Sequence, residues 1–359
     1  MWSHFILFLY FFCFLIISLL YCGWGEENMV FREPPSQVKE TVLFSSTILP
    51  PSTIQNWFNA SVVNGQSLAV IGSFFYVPYI IIYLQRKLKT TRHRALAMLS
   101  LITLLLCPIQ KSTWVQRLFV WDEYDRYFRT KVVGSAFSSQ QTVFGIYPHG
   151  IVPLTLGLTA FGKLNSLFNN LRICVATATR LVPVFSHVLR LGGAVDASAD
   201  SINQTLSAGH SIGVTPGGIA EMFWGYPQPG CHPDEEYAVL HSRKGFIRFA
   251  IKYGCQIVPV FVFGGSKLYK RVVMPQFIVD LSRRWQTSLL LFYGKYGLPI
   301  PFQIPMTYAV GKAIRTFVNV EPTIEEVDFI HNTFVASLLS TFDSHKNEYG
   351  WGHKRLIVL

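Results

Sequence analysis

Three apolar runs crowd the first third of this 359-residue chain, and they limit what it can fold into. Phe5 to Cys22 is broken only by Ser18, Ser67 to Leu84 contains Pro78, and Ala95 to Ile109 meets Pro108 near its end. A complete helical span needs roughly 20 apolar residues. The first two runs are of marginal length. The third is short enough to enter and leave a bilayer on one face. The first run has no Lys or Arg before it, which favours a retained anchor over a cleaved signal. Arg86, Lys87, Lys89, Arg92 and Arg94 lie between runs two and three, and the positive-inside rule places them in the cytosol. Glu26 and Glu27 follow run one and suit a lumenal exit. That order predicts a lumenal sequon at Asn59-Ala60-Ser61, while the sequon Asn203-Gln204-Thr205 is lumenal if run three spans fully and cytosolic and unmodified if run three enters and leaves on one face.

Composition agrees with a chain partly dissolved in lipid. Charged residues are 14% and hydrophobic residues 50%, where ordinary soluble domains carry about 25% charge. The net charge of +11 suits anionic headgroups or a phosphorylated cosubstrate. No basic-aromatic stripe of a nucleic-acid binder is present. The six cysteines form no CxxC pair, so they read as reduced thiols, and no metal site is expected.

From Trp114 onward the pattern is a single mixed α/β domain, giving membrane segments within 1–112 (5–22, 67–84, 95–109) and a domain over 113–359. Strands are expected at Thr142–Ile146, Ile173–Ala176, Ser211–Thr215, Ile257–Phe263 and Ser288–Tyr293. Helices are expected at Val184–Leu191, Ala199–Ala208, Gly245–Tyr253 and Thr323–Asn347. Thr323 and Glu326 form a capping-box signature, with Ile324, Val327, Ile330, Phe334, Leu338 and Phe342 on one apolar face. Gly254 stands where a C-cap would.

Four segments carry chemistry. In Tyr147-Pro148-His149-Gly150 a strand ends at a stiff turn that presents His149, the usual base for a hydroxyl nucleophile. A turn histidine bonded to the backbone has the same local sequence. In Thr215-Pro216-Gly217-Gly218-Ile219-Ala220-Glu221 two glycines could aim N–H groups at an oxyanion or phosphate. Glu221 sits in an apolar setting and needs a partner, which orienting His149 would supply. A structural turn with Glu221 capping a helix is the plainer alternative. Arg243 and Lys244 open a helix, where anions are favoured, though a solvated basic turn looks the same. Val258–Phe263 followed by Gly264-Gly265-Ser266 reads as a buried strand emptying into a loop. Ser266 has no nucleophile-elbow pattern.

Taken in order, these blocks resemble the type-2 diacylglycerol acyltransferase family, which includes monoacylglycerol acyltransferases and wax-ester synthases. The likeness runs over about residues 68 to 350. The apolar pair near 68–109 is placed like that family's membrane hairpin. Tyr147 to Gly150 resembles its His-Pro-His-Gly block, and Pro216 to Glu221 its Gly-Gly-x-x-Glu block. Arg243-Lys244-Gly245-Phe246, Val258-Pro259, and Val310 through Lys346 match later blocks. Tyr147 replaces a His, Gly265 stands where Phe-Gly-Glu is frequent, and Leu154 stands where glycerol-phosphate acyltransferases carry Asp after His-x4.

The resemblance implies His149 as base with Glu221 as its partner. Tyr147, Pro148, Gly150, Gly217, Gly218, Arg243 and Lys244 would surround the substrates. It implies acyl-CoA as cosubstrate, a lipid alcohol as acceptor, no metal or bound cofactor, and an endoplasmic-reticulum membrane with the domain facing the cytosol. Contact with membrane lipids is expected and nucleic acid is not. Self-association is compatible with the sequence. Diacylglycerol is the leading acceptor, with monoacylglycerol, long-chain alcohol and sterol open. A non-catalytic lipid-binding membrane protein is the rival, since it would keep the apolar runs without needing His149 and Glu221 together.

Overall fold

The structure is a computed structural model that describes residues 42–46, 54–106, 109–118, 120–135, 139–228, 230–272 and 290–359, with a few single positions between 275 and 284. The run Phe5–Cys22 lies outside the described residues.

The frame is an eight-stranded sheet in the order β1-β2-β11-β8-β3-β6-β4-β5. These are β1 Val42–Ser45, β2 Lys131–Gly134, β3 Thr142–Tyr147, β4 Arg172–Val175, β5 Val195–Asp196, β6 Ile212–Val214, β8 Gln256–Phe263 and β11 Thr307–Val310. Between them come β7 Glu235–Ala238, which pairs in parallel with β12 Arg355–Val358, and β9 Lys270–Arg271, which pairs with β10 Phe292–Tyr293. The centre is parallel: β3 lies between β8 and β6, and β4 continues that direction. Every residue of β3 and β8 is buried, as strands covered on both faces require.

Eight helices matter here: α1 Ile54–Val70, α2 Ser73–Lys87, α3 Thr91–Leu106, α4 Val120–Tyr127, α5 Pro183–Leu191, α6 Ala199–Ser207, α7 Gly245–Tyr253 and α8 Ile324–His345. α8 begins with the expected capping box, Thr323 and Glu326 each accepting the other's backbone N–H. Its face over the sheet is Val327, Ile330, Phe334, Leu338 and Phe342, all buried. Ile324 is not part of that face. It stands in the first turn, 65% exposed. Phe334 fits because β3 has Gly145 beneath it, where any Cβ would come within 2.5 Å of the ring. Gly254 ends α7 at φ 63°, the left-handed cap the sequence signals.

The run Ser67 to Leu84 is divided between α1 and α2 and is not one helix. Among the described residues no single helix is long and apolar enough to cross a membrane, while α1 and α2 together, bent by 47°, pass that test by length and composition. α1 packs on α4 of the α/β domain, and Asn59 is only 3% exposed there. β1 joins the sheet beside β2. Residues on both sides of position 112 therefore build one core. Asn59, the first residue of the expected lumenal sequon, is buried on the domain side of α1. Ser112 N–H bonds Leu191 O at the end of α5, and Phe74 rests on Phe185 of the same helix. Both ends of the α2–α3 hairpin are thus tied to the domain. The hairpin itself exposes Phe75, Tyr79, Ile80, Ile82, Tyr83, Leu96, Leu99 and Ile102.

Candidate active site

Three of the four motif segments reach one edge of the sheet. β8, β3 and β6 are adjacent and parallel, so Gly264–Lys267, Pro148–Gly150 and Thr215–Glu221 all emerge from their carboxyl ends. Open α/β sheets place their sites at such an edge. The contact is close. A Cβ on Gly150, whose φ is +66°, would stand 3.2 Å from the Gly265 carbonyl, and one on Gly265 would press Thr155 and Pro148.

His149 bonds through Nδ1 to the Gly150 carbonyl oxygen at 2.8 Å. A carbonyl only accepts, so Nδ1 carries the proton and Nε2 carries the lone pair. Burial pushes the imidazole pKa below its ordinary 6.5, and the Gly150 bond works the other way. The ring is therefore held neutral, in the tautomer that accepts a proton at Nε2.

Glu221 is buried, and both its oxygens face main chain. Oε2 accepts from the His149 backbone N–H at 2.7 Å and Oε1 from Val239 N–H at 3.2 Å. The carboxyl thus grips the peptide that carries His149, where the sequence suggested a grip on its ring. Burial pushes its pKa up to about 8, with the two N–H donors pulling it back. Gly217 lies under this side chain: a Cβ there would come within 2.7 Å of the Glu221 carboxyl. Gly218 adopts φ +52°, and its N–H donates to Thr215 O at 3.1 Å. That N–H is spent within the turn, which removes it as the expected oxyanion donor.

Tyr147 is fully buried against Phe334, with ring centroids 6.3 Å apart, and its hydroxyl has no partner among the described residues. Burial and the nearby Glu221 carboxyl raise its pKa well above 10, opposed by Arg243. It is an uncharged wall beside the site. Pro148 is buried in the same turn.

The basic pair divides. Lys244 Nζ is 2.7 Å from Asp328 Oδ1 on α8, an ion pair that ties α7 to α8. Arg243 is exposed and has no ion pair among the described residues. Two surface cavities, of about 480 and 390 Å³, lie by Arg248, Lys252 and Val320 and by Thr113 to Leu118. Neither includes His149. The residues with acid–base chemistry stand at the sheet edge, away from both cavities. Sequence reasoning missed Val239, which serves only through its backbone. It also missed the pressing of Gly265 on Gly150, which spacing cannot reveal across 115 positions.

The family model described as Diacylglycerol acyltransferase matches residues 94–359, which contain every segment above. The chain belongs to the diacylglycerol acyltransferase family. It is 28% identical to zebrafish (Danio rerio) diacylglycerol O-acyltransferase 2 over 274 residues, 70% of this chain and 74% of that protein. It is 28% identical to bovine (Bos taurus) 2-acylglycerol O-acyltransferase 1 over 267 residues, 67% of this chain and 76% of that protein. Among solved structures, the 1-acyl-sn-glycerophosphate acyltransferase PlsC of Thermotoga maritima aligns with 80% of this chain and 95% of its own, at 12% identity and a TM-score of 0.38.

Proposed function

We propose that this protein transfers an acyl group from acyl-CoA to a lipid alcohol, with diacylglycerol as acceptor and triacylglycerol as product. The observation that carries the reading is the His149 ring in a member of this family: Nδ1–H is fixed on Gly150 O, and Nε2 is left to take a proton. The acceptor hydroxyl would lose its proton to Nε2 as its oxygen attacks the thioester carbonyl. The tetrahedral intermediate then breaks its C–S bond, and the thiolate recovers the proton from the imidazolium. Ester and free thiol balance the step, with no change of oxidation state. Glu221 keeps the His149 peptide in place throughout. Arg243, free of an ion pair among the described residues, is the residue for the phosphates of the donor.

Monoacylglycerol is the second reading, favoured by equal identity to the 2-acylglycerol enzyme. We also propose that the exposed α2–α3 hairpin seats the domain on the cytosolic face of the endoplasmic-reticulum membrane, where acyl-CoA is supplied. Microsomes given labelled oleoyl-CoA and a panel of lipid alcohols test the reading. Label in triacylglycerol supports it. Label only in diacylglycerol made from monoacylglycerol selects the second reading. No labelled ester with any alcohol overturns both.

A further inference from the structure

One buried charge cluster lies outside the site as described. Glu236 on β7 is 4% exposed, and its Oε1 receives Lys354 Nζ at 2.6 Å and Lys267 Nζ at 3.0 Å. Lys354 is itself buried and lies over the Trp351 ring, 4.4 Å from its centroid. The three residues belong to three places in the chain. Glu236 is on β7, Lys267 is in the turn after β8, and Lys354 immediately precedes β12.

Each of these places leads to the site in a few residues. Three positions beyond Glu236, Val239 N–H holds Glu221 Oε1 at 3.2 Å. Two positions before Lys267, the Gly265 carbonyl closes on Gly150. β12 pairs with β7 over Glu235 to Ala238 and so fixes the segment that ends at Val239. A buried carboxylate shared by two ammonium groups is a poor source of stability, because desolvation offsets much of the attraction. Its geometric demand is strict, however. Both lysines must stay within a hydrogen bond of one oxygen, so both walls of the His149 turn stay in register.

We propose that Glu236 is a positioning residue for acyl transfer. Through Lys267 and Lys354 it locks the Gly264–Lys267 turn and the β7 segment against the turn that carries His149, and this makes the C-terminal strand part of the active-site architecture. The proposal rests on His149 as the base, but it predicts a local ordering that can be measured without turnover.

The test uses the full-length protein in detergent, comparing Glu236→Gln and Lys267→Met with wild type and His149→Ala. Deuterium exchange is followed along the whole chain, and peptides spanning 145–152, 236–242 and α8 are compared. Glu236→Gln should speed exchange in 145–152, a segment Glu236 does not touch, with the exchange of α8 unchanged. It should lower kcat on the order of 10–100-fold, the scale of a small misplacement of catalytic groups, while the KM for oleoyl-CoA stays within about twofold. Lys267→Met, which leaves the Glu236–Lys354 pair, should show the same pattern more weakly and serves if Glu236→Gln fails to fold. Unchanged exchange at 145–152 overturns the proposal, and so does a uniform rise across all peptides, which would mark a general fold defect. If His149→Ala keeps its activity, the base assignment fails, and the exchange result still decides Glu236.

Discussion

Gly217 and Gly218 adjoin in sequence yet are constrained by different physics. At Gly217 the obstacle is the Glu221 carboxyl, 2.7 Å from any Cβ and pinned by two N–H donors, so it cannot swing away freely. At Gly218 nothing lies within 4 Å, and only φ +52° resists a side chain, a strain of about 1–2 kcal/mol. Gly217→Ala should therefore abolish most acyl transfer, and Gly218→Ala should keep a substantial part of it. Equal losses in a microsomal assay would contradict this account of the turn. His149→Ala should lower turnover about 10²–10⁴-fold, the usual cost of losing a general base, with membrane retention intact. Near wild-type turnover would remove His149 from the chemistry. Glu221 adds a pH signature. Its proton is held up to about pH 8 in the folded protein but released near 4.5 in the unfolded chain. Between those values the folded state binds more protons, so this group's contribution to stability is full below about 4.5 and is lost as pH rises toward 8. Asp125, pushed up to about 7 by burial, acts in the same sense. The difference between wild type and Glu221→Gln isolates the Glu221 share: wild type should lose more Tm than the variant between pH 5 and 8. A parallel pair of Tm curves would mean that Glu221 is ionised in the fold.

Elements were legible where one periodicity ran long enough. β3 and β8 are continuous apolar runs because the parallel centre is covered on both faces, and α8 announces itself through Thr323, Glu326 and its apolar stripe. Five short strands were not legible: β2, β7, β11 and β12, of four residues each, and β5, of two, lack the turn-bounded apolar run that marks β4 and β6. Their pairing is decided by partners far away in the chain, such as Thr307 against both Lys131 and Phe263. The site was half legible. His149, Glu221 and the glycines stand in recognisable blocks, but only the order of the strands brings the blocks together, and only the folded turn sets Glu221 on main chain. Arg243 and Lys244 read as one basic block in sequence and separate in the fold. Lys244 is committed to Asp328, so Lys244→Ala should loosen α7 from α8 and lower thermal stability with little change in donor KM. Arg243→Ala should raise the KM for acyl-CoA more than that for the lipid acceptor. An unchanged acyl-CoA KM in Arg243→Ala would take this arginine out of the donor site.

At the scale of the whole molecule, the membrane question turns on which segments are attached to the domain. β1 and α1 build on it, and both ends of the hairpin return to it, so from residue 42 onward only α2 and α3 can leave its side among the described residues. The hairpin has 15 residues outward and 16 back, about 22–24 Å at roughly 1.5 Å per residue. A hydrocarbon core is about 30 Å thick. Arg86, Lys87, Lys89, Arg92 and Arg94 gather around its tip and are all exposed. Driving that tip to the bilayer centre would cost about 2.5–3.5 kcal/mol per cation on insertion scales. Lying along the interface instead lets the apolar side chains enter the acyl region while the cations stay among headgroups. The expected behaviour is that of a surface-seated enzyme. The purified protein should float with vesicles containing phosphatidylserine more strongly than with neutral phosphatidylcholine vesicles. Changing Arg86, Lys87 and Lys89 together to Glu should remove that preference without abolishing binding, since the apolar face remains. Added salt should weaken the wild-type preference in the same way, because headgroup attraction at the surface is screened within about 8–10 Å at moderate ionic strength. The same arrangement leaves Asn59 buried and the Asn203 side chain bonded to Lys252 and Tyr253. Neither sequon should then carry a glycan, and the protein from microsomes should show no mass shift with endoglycosidase. A glycan on Asn59 would place the domain in the lumen, and binding indifferent to both lipid charge and the tip substitutions would mean that the tip does not lie among headgroups.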